Sequence, residues 1–206
     1  MTLKNKLFNF LLTLSLSLPA QIVFANEEPV LTNTLKKYRS FSAISLNYVN
    51  WNDKLILQAN GISDVDSANY TGLQLNYEKD FSMLGWGWAT GASVATGKAT
   101  AGGNSVLIPF QKGNQPWYSA GGYAKIYLEI NPRVLLGAQI PIVINPTIWK
   151  SNDPTILVSG GKVISTGILL DILYRLTINL DFMQSLGFYN SSQGSTLWKL
   201  GLGYRL

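Results

Sequence analysis

"TLWKLGLGYRL", residues 196–206, closes the chain. Every second residue is large and apolar: Trp198, Leu200, Leu202, Tyr204 and Leu206. Lys199, Gly201, Gly203 and Arg205 stand between them. Strict period-two alternation puts the two sets on opposite faces of one β-strand. Two surroundings suit such a strand. In a water-soluble barrel the apolar face turns inward, and in a membrane barrel it turns outward to lipid.

The same alternation recurs upstream. A first strand spans residues 38–49, with Ile44, Leu46 and Tyr48 opposite Ser45 and Asn47. It continues past a bulge or turn at residues 50–53 as far as Asn60, and a polar loop at 61–69 carries Asp64 and Asp66. A second strand covers 70–79, and a tight connection at 80–84 leads to a third at 85–98. A Gly- and Asn-rich loop at 99–115 precedes a fourth strand at 116–130. Asn131-Pro132-Arg133 is a turn signal, followed by a fifth strand at 134–145 and a loop at 146–161. The sixth strand is 162–174, with a close turn at Arg175-Leu176; the seventh is 177–189, and the loop 190–195 leads to the eighth. The fold class is therefore all-β, an eight-stranded antiparallel up-and-down transmembrane β-barrel, with long connections at one end and short ones at the other.

Composition narrows the function. The 206 residues hold 16 Lys plus Arg, 11 Asp plus Glu, no His and no Cys. Only 13% are charged, against about 25% in ordinary soluble domains, while 47% are hydrophobic. Without Cys there is no disulfide framework and no thiolate metal site. Without His the commonest general base and metal ligand is missing. Residues 1–25 read as a signal peptide: Lys4 and Lys6, an apolar run from Leu7 to Leu18, then Pro19 and a small-residue cleavage site ending at Ala25. The run is shorter than the ~20 residues a spanning helix needs. Residues 26–37 form a periplasmic leader and 38–206 the barrel. The mature chain keeps 14 basic and 11 acidic residues, a net +3, which does not mark a nucleic-acid binder.

Three features turn the apolar face outward. Aromatic residues gather at the ends of that face: Tyr77, Trp86, Trp88, Tyr174 and Tyr204 at the short-turn end, and Tyr48, Tyr118, Phe188 and Trp198 at the long-loop end. Such girdles fit the two headgroup regions. The opposite face is rich in Gly, Ala and Ser, which suits a narrow lumen filled by side chains. Its charges are few and of both signs: Glu78, Lys125, Glu129, Asp171, Asp181, Lys199 and Arg205. Buried singly each is costly; together they form a polar lumenal network that takes the place of a hydrophobic core. A gated ion path is the sharper alternative.

In this architecture and in its terminal strand, "LWKLGLGYRL" (residues 197–206), the chain resembles the small eight-stranded outer-membrane proteins of Gram-negative bacteria, the OmpA/OmpX/OmpW-like barrels. The resemblance covers the chain from about residue 38. It implies an outer-membrane location, insertion by the barrel-assembly machinery through the C-terminal strand, and outer-membrane lipids and lipopolysaccharide as surroundings. Leu206 departs from the aromatic residue that usually ends that signal. The implied role is non-enzymatic, in envelope integrity or surface interaction, with a monomeric barrel.

Other chemistries fit less well. Lipid-modifying and proteolytic barrels call for a catalytic His, absent here. Asp171 and Asp181 could pair for acid–base work, but read more simply as salt-bridge partners. Asn152-Asp153-Pro154 and Asp64-Val65-Asp66 are more simply solvated turns than weak cation sites. The Gly-rich stretch 100–104 has neither the following helix nor the Lys-Ser/Thr of a phosphate loop. No cofactor is implied. Pro141 lies mid-strand, where proline removes a ladder hydrogen bond. It marks a local bulge or, alternatively, a lateral seam through which a small hydrophobic compound leaves a narrow channel for lipid.

Overall fold

The computed structural model describes residues 39–83, 85–101, 114–147, 149, 154–160, 163–190 and 195–206. The expected signal peptide and leader lie outside these residues, as do residues 102–104 of the Gly-rich stretch and Asn152 and Asp153. Nine strands are present among the described residues: β1 (Arg39–Ala59), β2 (Ile62–Met83), β3 (Trp86–Ala101), β4 (Asn114–Asn131), β5 (Val134–Ile144), β6 (Leu157–Gly160), β7 (Ile164–Arg175), β8 (Leu180–Tyr189) and β9 (Thr196–Arg205). Eight of them close a ring of antiparallel pairs, because β1 is bonded to β2 on one side and to β9 on the other. Closure satisfies the backbone without water, as a membrane interior requires.

The ring is strongly sheared. Partner by partner, Phe41 leads to Asp80, Ala89, Lys125, Gln139, Leu169, Gly187 and Leu197, and then to Trp51, ten residues along the starting strand. A stagger of this size goes with strands tilted about 40° to the barrel axis. The belt facing outward is apolar: Leu46, Leu75, Val94, Ile126, Ile140, Leu170 and Leu202 are all exposed at the protein surface. An exposed belt of this size on every wall is a lipid-facing surface, not a soluble one.

Several boundaries differ from those read in the sequence. β1 runs unbroken through residues 50–53, and no bulge interrupts its register with β2. The stretch expected as a loop at 61–69 is, from Ile62 onward, the first part of β2. A two-residue turn joins the hairpin, with Asn60 at φ 49° and Gly61 at φ 78°. Asn-Gly is the pair that a type I′ hairpin turn favours. The long loop after β5 contains a further strand, β6, which pairs with residues 55–58 of β1 beyond the end of β9. The β7–β8 turn takes in residues 176–179, so Ile178 sits at the turn, 86% exposed, rather than in a strand.

The cause of the misread region is a reversal of polarity within one strand. From Ile44 to Tyr48 the even residues of β1 are apolar and exposed, while Ser45 and Asn47 point inward. Beyond it the even residues are Asn50, Asn52 and Lys54, and the inward set becomes Val49, Trp51, Leu55 and Leu57, with one polar member, the buried Asp53. β2 mirrors this. Its outward residues change from Leu75 and Leu73 to Thr71, Asn69 and Ser67, and its inward ones from Asn76 and Gln74 to Tyr70 and Ala68. The backbone geometry does not change; the solvent does. Outside the barrel, lipid gives way to water at the level of Asn50 and Thr71.

Candidate functional site in the barrel lumen

The turn-side half of the lumen is polar and is built by an interlocking of β4 on β3. Tyr127 and Tyr123 face Gly87 and Gly91 across the ladder. A Cβ on either glycine would overlap the tyrosine ring, so each ring lies flat across β3 and reaches β2. The Tyr123 hydroxyl donates to Glu78 Oε2 at 2.9 Å, and the Tyr127 hydroxyl donates to Asp80. Lys125, between them, pairs with Glu78 Oε1 at 2.7 Å. Small residues beside large ones are thus a joint, in which each ring covers the bare backbone that it needs.

The expected network is partly assembled. Glu78, Lys125, Asp171 and Lys199 line one small cavity together with Tyr123, Asn47 and Ser185. Asp171, Ser185 and Lys199 form a cross-strand row over β7, β8 and β9. Arg205 grips Asp181 with two bonds, Nε at 2.9 Å and Nη2 at 2.7 Å, and its guanidinium lies 5.1 Å from the centre of the Phe41 ring. Glu129 is not lumenal: it is exposed at the turn-side rim, where Arg175 Nη1 lies 3.6 Å away. Asp171 and Asp181 do not form a carboxylate pair. Asp171 faces Ser185, four residues from Asp181 along β8, about 13 Å at strand rise. Asn47 and Tyr127, which the alternation puts on the polar face, belong to this half, and so does Asp80, which lies within β2 and not in the connection expected at residues 80–84. Two cavities of about 40 and 20 Å³ lie among these residues, room for a few waters and for no organic solute.

The loop-side half is different in kind. The mixed-charge filling expected of the whole lumen does not extend into it; an aromatic plug takes its place. Trp51 stacks on Tyr70 at 4.5 Å, and Tyr189 meets Trp51 edge-on at 5.1 Å. Trp117 and Trp149 meet Tyr70 edge-on at 5.7 and 6.2 Å. Two of the polar tips are satisfied locally: Trp149 Nε1 donates to the Tyr70 hydroxyl at 2.8 Å, and Trp117 Nε1 donates to the Thr71 carbonyl at 3.1 Å, whereas the buried Trp51 Nε1 has no hydrogen-bond partner among the described residues. Trp117 repeats the joint seen below, facing Gly97 and reaching across β3 to β2. Leu55, Leu57, Leu169 and Leu197 complete the packing, and Val158 of β6 lies against it. Asp64 and Asp66 lie in a strand, not a turn, and Asp66 is buried against this region.

On the outer wall, Tyr48, Tyr77, Trp86, Trp88, Tyr118, Phe188 and Tyr204 are exposed, with Tyr174 and Trp198 half-buried. Tyr48 and Trp198 meet edge-on at 6.0 Å toward the loops, and Trp88 stacks on Phe81 at 4.2 Å toward the turns. Pro141 makes no bulge. β5 and β7 keep one register from Gln139↔Leu169 to Ile142↔Thr166, and only the two intervening pairs are missing. Proline removes a donor without inserting a residue, so the ladder is interrupted rather than displaced.

A closed ring, a belt of apolar side chains turned outward and a lumen filled by its own residues define a small eight-stranded transmembrane β-barrel of the outer-membrane type. Solved structures of that kind are similar to the chain. Ail, the attachment invasion locus protein of Yersinia pestis, is 21% identical over 82% of this chain and 99% of its own, with a TM-score of 0.44. OprG of Pseudomonas aeruginosa is 13% identical over 84% of this chain and 99% of its own, with a TM-score of 0.46. Neisserial surface protein A is 13% identical over 82% of this chain and 97% of its own, with a TM-score of 0.41. No family model and no curated protein matches the chain. The fold assignment rests on the strand pairing itself.

Proposed function

We propose that the chain is a non-enzymatic outer-membrane barrel, sealed against solutes, that acts in envelope integrity or surface interaction. The observation that carries this reading is the plug: Trp51, Tyr70, Trp117, Trp149 and Tyr189 fill the loop-side lumen. A lumen filled this way favours a scaffold over a conduit. The absence of His from the sequence weighs against acid–base chemistry of the usual kind. What the scaffold presents is the β1–β2 hairpin, which continues past the start of β9 and is braced by β6. Ile62 of the hairpin and Leu157 of β6 are exposed, at 60% and 68%, and apolar residues on an outward projection favour contact with other surfaces. Purified protein in lipid vesicles tests the reading. The wild type is expected to add neither conductance nor uptake of hydrophobic solutes, whereas steady single-channel currents from the wild type would overturn it.

A second reading, a channel for small hydrophobic compounds with a lateral exit, draws on the interrupted ladder at Pro141. Pro141 borders neither of the two lumenal cavities found among the described residues, so neither of them backs the gap. Pro141→Val restores a donor, and hydrophobic-solute uptake is expected to stay at the wild-type level; a clear fall with the barrel still folded would favour the exit.

A further inference from the structure

The lipid-facing wall is not uniform. A groove of about 650 Å³ crosses β1 to β5 immediately below the level where the outer face turns polar. Its walls are long side chains, Leu46 and Leu75 on one side and Tyr118 and Ile144 on the other. Its floor is low because Val94 and Ala120 stand between them. The lining is almost wholly apolar, so the occupant is hydrocarbon. A lipid chain gains no hydrophobic free energy by leaving other lipid for this surface; retention must come from close packing and from the headgroup.

Above the groove stands a cation. Lys98 is the next outward residue of β3 after Thr96, which lines the groove, and lies about 7 Å beyond it at strand rise. It is exposed, and its ladder partners are Thr71 and Pro116. The outward residues around it are Thr71, Asn69, Thr100 and Pro116, none of them acidic, and none of the ion pairs among the described residues involves it. Lys98 therefore sits where the headgroup of a chain lying in the groove would come to rest. We infer that the groove holds an acyl chain of a phosphate-bearing lipid of the outer leaflet, with the phosphate against the Lys98 ammonium. This rests on the membrane reading of the barrel but is independent of whether the lumen conducts.

Native mass spectrometry of the folded barrel, taken from vesicles of equal phosphatidylglycerol and phosphatidylcholine, tests it. Heat-modifiable migration is recorded on the same samples, so that loss of the barrel is distinguished from loss of the lipid. One lipid per barrel is expected to survive detergent exchange, with about a fivefold preference for phosphatidylglycerol. Lys98→Gln is expected to abolish the preference and keep the retained chain. Ala120→Phe, on the lipid-facing wall, is expected to fill the groove and release both lipids. Retention of both lipids in proportion to their abundance, unchanged by either variant in a folded barrel, would overturn the inference, as would a lipid-free dimer of barrels.

Discussion

The two halves of this barrel share eight strands and one backbone geometry, yet their chemistry is inverted. In the turn-side half the outside is greasy and the inside carries Glu78, Lys125, Asp171 and Lys199. In the loop-side extension the outside carries Asn52, Lys54 and Ser67, and the inside packs Trp51, Tyr70 and Trp117 like the core of a soluble protein. The same two strands, β1 and β2, take part in both. The difference teaches that the alternation of a strand records two surfaces, and that its phase records which of them meets water. Where lipid bathes the outside, polar residues can fill the tube at little relative loss. Where water bathes it, the hydrophobic effect drives the apolar residues inward.

The largest expected effect is in the plug. Trp51→Ala removes a ring only 2% exposed and is expected to cost about 3–5 kcal/mol, read as a lower urea midpoint of the barrel folded in micelles. If Trp51 faced lipid instead, the midpoint would scarcely move. Next is a charge placed on either side of the boundary. Leu46→Lys, within the belt, is expected to cost about 2–4 kcal/mol in bilayers, and Asn52→Lys on the same face of the same strand to stay within about 0.5 kcal/mol. Equal effects from the two would abolish the boundary between Tyr48 and Asn50.

A smaller effect is expected at the joints. Gly91→Ala forces the Tyr123 ring from its seat and breaks its bond to Glu78, at a cost of about 1–3 kcal/mol. Gly122→Ala is the control. A Cβ there meets only the Gly91 carbonyl, at 3.4 Å, and little change in midpoint is expected. The smallest effect is a shift of pH dependence. Burial in the plug holds the Tyr70 phenol neutral and pushes its pKa up to about 12. The folded value exceeds the unfolded value of about 10. The stabilisation is therefore complete below about pH 10 and is lost as the pH rises toward about 12. Ultraviolet titration of tyrosinate, compared between wild type and Tyr70→Phe, checks this; a Tyr70 component titrating near the unfolded value would place the ring in water.

Much of the membrane half was legible because its alternation is uninterrupted. The apolar run of β5 needs no context: Leu136, Ile140, Ile142 and Ile144 fall on one face, and the last strand needs no neighbour to be read. The plug was not legible in the same way. Trp51 and Tyr70 lie past the point where the phase reverses, so the lipid-facing set runs into Asn50 and Asn52 and mimics a break. The signal was present as Val49, Trp51, Leu55 and Leu57 in one period-two phase broken only by Asp53, followed by Asn60-Gly61, which closes hairpins. β6 was out of reach for another reason. Its four residues become a strand only by pairing with residues 55–58 of β1, a partner about a hundred positions away in the sequence. Within the polar half, Lys125 and Glu78 were visible as inward charges, but not as partners, because that pairing depends on how the Tyr123 joint sets β4 across β3 onto β2.

The inversion of solvent along a single strand is tested most directly by single-cysteine labelling of intact cells, which the cysteine-free sequence permits. Cysteines at Leu46, Asn52, Lys54 and Ile126 are each challenged with a membrane-impermeant thiol reagent. Asn52→Cys and Lys54→Cys are expected to react from outside the cell, and Leu46→Cys and Ile126→Cys to stay unlabelled until the membrane is dissolved. Ready labelling at Leu46 and Ile126 in intact cells would mean that water bathes the whole outer wall, and the account would fail.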